Sequence, residues 1–153
     1  MLSSGTLADI NHFMEDIKEF ISERDIFARH CGIRLLEVKR GEAAAEMEVQ
    51  DTHLNGLNLA HGGAIFALAD LAFAAAANSG DHVAVGINVT ISYVRPAEKG
   101  EILTARAREV FSTRSIGGYS VEVENKAGEL IAVFQGNAYK KGLKKNIKIK
   151  KKE

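Results

Sequence analysis

From Ala64 to Ala77 every side chain is apolar except one, the carboxylate of Asp70. The run opens on His61-Gly62-Gly63 and closes on Asn78-Ser79-Gly80, a stop signal, so it reads as one helix. A helix that is apolar nearly all round must be covered on nearly all sides. The rest of the chain therefore has to supply a curved cover, and a sheet wrapped around the helix would do so. The run is too short to span a bilayer and is interrupted by Asp70, which argues against membrane insertion. An isolated carboxylate in such a helix is costly unless something compensates for it. Asp70 is either a structural buried acid, hydrogen-bonded or neutral, or a group kept there for chemistry.

The flanking patterns say what the cover is made of. Before the helix lie two strand candidates, Ile33–Lys39 and Glu42–Gln50, joined around Arg40-Gly41. In the second, Ala43, Ala45, Met47 and Val49 alternate with Glu42, Glu46, Glu48 and Gln50. After the helix the period changes from 3.6 to 2. Val83, Val85, Ile87, Val89, Ile91 and Tyr93 alternate with small or polar residues, and further strands are expected over Ile102–Phe111, Tyr119–Glu124 and Leu130–Tyr139. Gly117-Gly118 should precede Tyr119–Glu124, and "NKAG" should turn the chain into Leu130–Tyr139. Consecutive strands without helical crossovers imply an antiparallel sheet, hence an α+β fold. Ahead of all this, Leu7, Ile10, Met14, Ile17 and Ile21 mark an amphipathic helix over Thr6–Glu23, with Thr6-x-x-Asp9 resembling a capping box.

A chain of 153 residues that is 46% hydrophobic fits one domain with a real core. Its single cysteine, Cys31, excludes an internal disulfide and a cysteine-based metal cluster, and suits a reducing cytosol. No N-terminal stretch has the layout of a signal peptide, so a cytoplasmic protein is expected. The formal net charge of zero hides an asymmetry: the last stretch, Lys140–Glu153, holds eight lysines and one glutamate, a net +7 that leaves −7 on the remainder. The tail reads as a solvated, mobile end, with electrostatic attraction to phosphates or anionic surfaces as the rival reading. An acidic body argues against a nucleic-acid-binding domain.

Gly62 and Gly63 remove the side chains that would block approach to the first free amides of the helix. With the positive end of the helix dipole, those amides suit an anion or a developing oxyanion; close packing against a strand is the other use of a glycine pair. Asp70 lies eight residues beyond Gly62, about 12 Å along the axis. One carbonyl group cannot touch both in one chain. If they cooperate, Asp70 of one subunit must face Gly62 of another, and the site lies at a dimer interface.

The segment "LNGLNLAHGGAIFALADLAFAAAANS" resembles the active-site segment of hotdog-fold acyl-CoA thioesterases, specifically the PaaI-type branch associated with phenylacetic acid degradation. "VTISYVRPAEKGE" and "GELIAVFQGNAY" fit the same family. The likeness runs from about Gly32 to Gly142, implying an N-terminal helical extension over 1–31, a hotdog domain over 32–142 and a lysine-rich tail over 143–153. It implies an antiparallel sheet wrapped around a central helix, a homodimer that often assembles into a homotetramer, and hydrolysis of acyl-CoA without a metal or bound cofactor.

Carried onto matching positions, Asp70 is general base or nucleophile, and the Gly62 amide, with Gly63, polarises the thioester carbonyl. Asn55 orients water or substrate; an Asn-Gly pair is equally a turn signal. His61 shapes the helix mouth, by fixing the loop or by transferring protons. Gly86 and Asn88 fall on the strand where some relatives carry a serine or threonine near the acid. Arg114 and Arg95, with Lys99, are candidate partners for the CoA phosphates, against the alternative of ordinary exposed charge. Arg106 and Arg108 alternate with Ala105 and Ala107 and read as a solvated strand face. Two rival readings stay open: a hotdog hydratase or dehydratase, and a non-catalytic acyl-CoA-binding module.

Overall fold

The protein is described by a computed structural model over residues 7–143. Thr6, and with it the expected capping box, lies outside the described residues, as does the tail from residue 144 onward.

Two helices open the chain, α1 (Leu7–Arg24) and α2 (Ile26–His30). Strands β1 (Arg34–Lys39) and β2 (Glu42–Glu48) follow, then a 3-10 turn at Asp51–His53 and the apolar helix α3 (Gly62–Ala77). Four strands complete it: β3 (His82–Tyr93), β4 (Ile102–Ser112), β5 (Ile116–Asn125) and β6 (Leu130–Leu143). The expected α+β order is present. Helix α2 has no periodicity that a sequence reading could catch, being a single turn capped by Asp25, whose Oδ1 accepts from the Ala28 amide at 2.9 Å.

All six strands join one antiparallel sheet in the order β1-β2-β4-β5-β6-β3. It curls around α3, burying Ile65, Leu68, Ala69, Leu71, Ala72, Phe73, Ala75 and Ala76. Helix α1 lies against β1 through Met14 and Ile17, whereas Leu7, read as part of the same stripe, is exposed. The cover is incomplete. Gly63 is exposed, and Ala67, Asp70, Ala74 and Ala77 remain half-buried along one stripe at four- and three-residue spacing.

The alternation expected in β3 is broken by bulges between Val83 and Ala84 and between Gly86 and Asn88. A bulge moves the side chains beyond it to the other face. Ala84 thus turns inward and is buried, while Val85 and Ile87 are 46% and 55% exposed. Val89 and Ile91 return to the core. Gly117-Gly118, expected ahead of the strand, lie inside β5, opposite Ser112 and Phe111. A Cβ on Gly118 would fall onto the Phe111 ring. At the centre, Phe73 of α3 stacks edge-on against Tyr119 and tilts against Phe134. Its ring sits where a Cβ on Gly86 or Gly136 would be, 3.1 and 2.9 Å away, so these glycines let the helix approach the sheet.

Candidate active site

The segment between β2 and α3 is pinned by buried side chains. His53 is 6% exposed. Its Nδ1 accepts from the Gln50 amide at 3.0 Å, which leaves the proton on Nε2 to donate to the Cys31 carbonyl at 2.8 Å. The His53 carbonyl then accepts from the His61 amide at 2.7 Å. Asn55 organises the next turn: its Oδ1 accepts from the amides of Leu57 at 2.8 Å and Leu59 at 3.2 Å. Asn58 adopts the left-handed region, φ 58°, which asparagine tolerates. Ala60 donates to the Ala97 carbonyl at 2.8 Å, fastening the helix approach to the segment after Pro96.

His61 is the N-cap of α3, and its Nδ1 accepts from the Gly63 amide at 2.8 Å. A Cβ on Gly63 would lie 3.1 Å from that nitrogen, so the second glycine serves the cap. The Ala64 amide returns to the His61 carbonyl at 2.9 Å. Among the described residues the Gly62 amide is left without an acceptor. The expected pair of donors is therefore one: the imidazole occupies the Gly63 amide. Behind Gly62, the Tyr93 hydroxyl donates to its carbonyl at 2.8 Å. The Tyr93 ring carbon and oxygen lie 2.9 Å from where a Gly62 Cβ would be.

Asp70 sits midway along α3, half-buried on the open stripe. It forms no hydrogen bond or salt bridge among the described residues. Burial raises its pKa above the ordinary carboxylate value, and the Asp25 carboxylate raises it further. Eight residues of helix separate Asp70 from Gly62, about 12 Å of rise and about 80° of rotation. Among the described residues, one chain thus carries an unsatisfied donor and an unsatisfied acid that cannot meet at a single atom.

A profile of the thioesterase superfamily matches residues 57–132, the span that carries both groups. A putative esterase of Archaeoglobus fulgidus is 42% identical over 130 residues, covering 85% of this chain and 84% of that one. The acyl-coenzyme A thioesterase PaaI of Escherichia coli is 37% identical, covering 78% and 86%. This chain belongs to the thioesterase superfamily. The solved structure of the E. coli PaaI protein from the phenylacetic acid degradation operon superposes with a TM-score of 0.84 at 34% identity, covering 88% of this chain and 97% of that one. The superfamily's hotdog fold is the curled sheet and central helix described above.

Against this thioesterase frame, the remaining candidate residues disperse. Gly86 faces α3 and makes room for Phe73. Asn88 pairs with Asn137 just past the bulge, while neighbouring Val89 packs inward, so Asn88 lies on the sheet face turned away from α3. Arg95 follows β3 near the helix mouth and pairs with Glu129 at 3.0 Å, and Lys99 pairs with Asp51 at 2.7 Å. Arg114 lies in the β4–β5 turn at the opposite end of the sheet, exposed and without an ion pair among the described residues. Arg106 and Arg108 are exposed, as their alternation predicts. Among the described residues no three His, Cys, Asp or Glu side chains converge as a metal site, and no helix is long and apolar enough to cross a membrane.

Sequence reasoning missed Tyr93, His53 and Asp25. Tyr93 closes the alternating row of β3 and shares its inward register, but only the tertiary fold puts its hydroxyl on Gly62. The other two act through the loop and helix ends they hold, and no periodic signal marks them.

Proposed function

We propose that this chain hydrolyses acyl-CoA thioesters to the free acid and CoA, at sites shared between two copies of the chain. The observation that carries the reading is the pair of unfinished groups on α3: a Gly62 amide and an Asp70 carboxyl, both without a partner among the described residues and about 12 Å apart on one axis. An antiparallel approach of two such helices brings Asp70 of each to Gly62 of the other, and the half-covered stripe is the surface such a partner covers.

In the site so formed, the thioester carbonyl accepts from the Gly62 amide. Ionised Asp70 takes a proton from water as the water oxygen attacks the carbonyl carbon. The oxyanion stays on the amide until the carbon–sulfur bond breaks and the CoA thiolate leaves, to be protonated in turn. A thiolate is a good leaving group, so a base and one oxyanion donor suffice without a serine triad. Attack by Asp70 itself, through an anhydride that water then opens, uses the same two groups. Asn55 offers its side-chain amide N–H donors to water or substrate, its oxygen being committed to the loop. His61 serves as the cap that aims the first turn. Arg95 and Arg114, at opposite ends of one subunit, are candidate holds for the CoA phosphates. Gly63 and Gly86 belong to the walls around the reacting group rather than to the chemistry, and Asn88, on the outer face of the sheet, is a candidate substrate contact only across the subunit boundary. No metal or bound organic cofactor takes part in the proposed reaction. The oligomer proposed is a dimer of hotdog subunits, assembling further to a tetramer, in the cytoplasm.

Thiol release from acetyl-, hexanoyl-, palmitoyl- and phenylacetyl-CoA, comparing wild type with Asp70→Asn, tests the reading. Turnover by wild type that Asp70→Asn abolishes is expected. Equal turnover by both removes Asp70 from the chemistry, and binding of acyl-CoA without any thiol release removes hydrolysis.

A further inference from the structure

The proposed chemistry places the oxyanion donor on the backbone of Gly62, and a backbone donor is only as well aimed as the turn that carries it. Three ties hold the start of α3 from outside. His53 accepts from the His61 amide, and Ala97 accepts from the Ala60 amide, at 2.7 and 2.8 Å. The third is the Tyr93 hydroxyl, which donates to the Gly62 carbonyl at 2.8 Å and is the one that reaches residue 62 itself. The ring also occupies the space over the Gly62 Cα, where a Cβ would meet it at 2.9 Å. Glycine at 62 and tyrosine at 93 therefore fit as a lock and its seat.

The placement of Tyr93 has a second side. It is the last residue of β3, which bonds to β6 along one side and forms the sheet edge on the other. Its register partner is Ala132, and the residue is 51% exposed although the hydroxyl is engaged. Burial raises its pKa above the ordinary phenol value, so the hydroxyl stays a protonated donor throughout the neutral range. A half-exposed ring that touches the donor residue flanks the point where a carbonyl would approach.

We infer that Tyr93 is a positioning residue for the thioesterase reaction: its hydroxyl bond to the Gly62 carbonyl and its ring over the Gly62 Cα hold residue 62, and through it the adjoining His61–Gly62 peptide, so that the amide N–H is aimed at the developing oxyanion. This rests on the reading of Gly62 as oxyanion donor. Tyr93 contributes nothing to the proton transfer, which belongs to Asp70. Loss of the hydroxyl should therefore slow the chemical step while leaving ground-state binding and the apparent pKa of the base in place.

The test is Tyr93→Phe, which keeps the ring and removes the donor, measured with the fastest of the four CoA thioesters beside wild type and Asp70→Asn. The expected result is a kcat about tenfold lower, a fraction of the loss from deleting a donor outright, with KM within about twofold. The melting temperature and the midpoint of the kcat–pH profile should match wild type, because the half-exposed site lets water replace the lost bond. A second variant, Tyr93→Leu, removes the ring as well and should lower kcat further at similar KM. A Tyr93→Phe kcat within twofold of wild type overturns the inference. So does a loss that follows a lower melting temperature or appears in KM, which a structural role would give. The Asp70→Asn arm separates the two claims: if it is inactive while Tyr93→Phe is normal, only the clamp fails; if it is fully active, the thioesterase site itself is misassigned.

Discussion

If each site takes Asp70 from one copy and Gly62 from the other, two inactive variants should restore each other. The perturbations are Asp70→Asn, which removes the base, and Gly62→Pro, which removes the amide proton. Proline is suited to residue 62: it is the first residue of α3, where proline is tolerated, and the preceding His61 has φ −63° and ψ 136°, the extended region that proline requires before it. A ring at 62 also pushes on Tyr93, so Gly62→Ala, which keeps the N–H but shares the 2.9 Å encroachment, is the control. Loss of a general base is expected to lower kcat about 10²–10⁴-fold. Loss of an oxyanion donor is expected to lower it about 10²–10³-fold.

The magnitude for the mixture follows from the 12 Å rise. A hydrogen bond spans about 3 Å, so no carbonyl bridges about 12 Å of one helix, and each site needs two chains. When the two variants are unfolded together in equal amounts and refolded, about half of the dimers are mixed, and each mixed dimer holds one site with both groups intact. Thiol release should recover to about one quarter of wild type. A double variant, Asp70→Asn with Gly62→Pro, gives the opposite signature. Mixed with an equal amount of wild type, it should leave about one quarter of full activity under shared sites, against about one half if each subunit works alone. No recovery in the first mixture together with one half in the second refutes the shared site.

Asp70→Asn should also stabilise the fold as pH rises. Burial and Asp25 raise the Asp70 pKa, so its stability contribution is complete below the unfolded value, about 3.9, and is lost as pH climbs through the folded value. Urea denaturation from about pH 4 to about pH 8 should show wild type falling relative to the variant, by at most about 1.4 kcal/mol per pH unit; parallel curves contradict the burial argument. His61→Ala should cost about 1 kcal/mol as a lost N-cap while thiol release persists, and a loss of turnover as complete as that of Asp70→Asn would make His61 a proton carrier instead. Gly136→Ala places a Cβ 2.9 Å from the Phe73 ring, which Tyr119 and Phe134 keep from moving. It should destabilise by about 1–3 kcal/mol, read as a shifted denaturation midpoint, and a neutral result would mean the ring is free.

The apolar run of α3 announced the fold because a period of 3.6 with no polar face leaves few architectures, and the period-2 rows after it named the cover. What stayed hidden is what periodicity cannot encode. The bulges in β3 reverse the side-chain facing of Val85 and Ile87, and a bulge costs the sequence only one extra residue. Gly62 and Gly63 look equivalent as letters, yet the imidazole of His61 closes one amide and leaves the other. Asn55 reads as both turn and ligand, and the fold commits its oxygen to the turn while leaving its amide N–H donors. Arg95 and Arg114 share a charge but stand at opposite ends of the sheet, a fact fixed by strand register alone.

These outcomes separate two kinds of exception to the rules of a folded chain. Some exceptions are resolved within the chain. Gly86 and Gly136 weaken strands but admit Phe73; His53 is a buried polar group but bonds through both ring nitrogens; Asn58 takes an uncommon backbone region to turn a tight loop. Others are left unresolved. Among the described residues the Gly62 amide has no acceptor and Asp70 has no partner. The helix stripe around Asp70 is only half covered, and β3 is a twelve-residue strand with one side unpaired among the described residues. Sheet edges and half-buried acids are costly to leave as they are. The proposed second copy would answer all four at once, with β3 pairing across the edge while the helices bring donor to acid. The resolved exceptions explain how one subunit folds, and the unresolved ones are the features on which the proposed shared site rests.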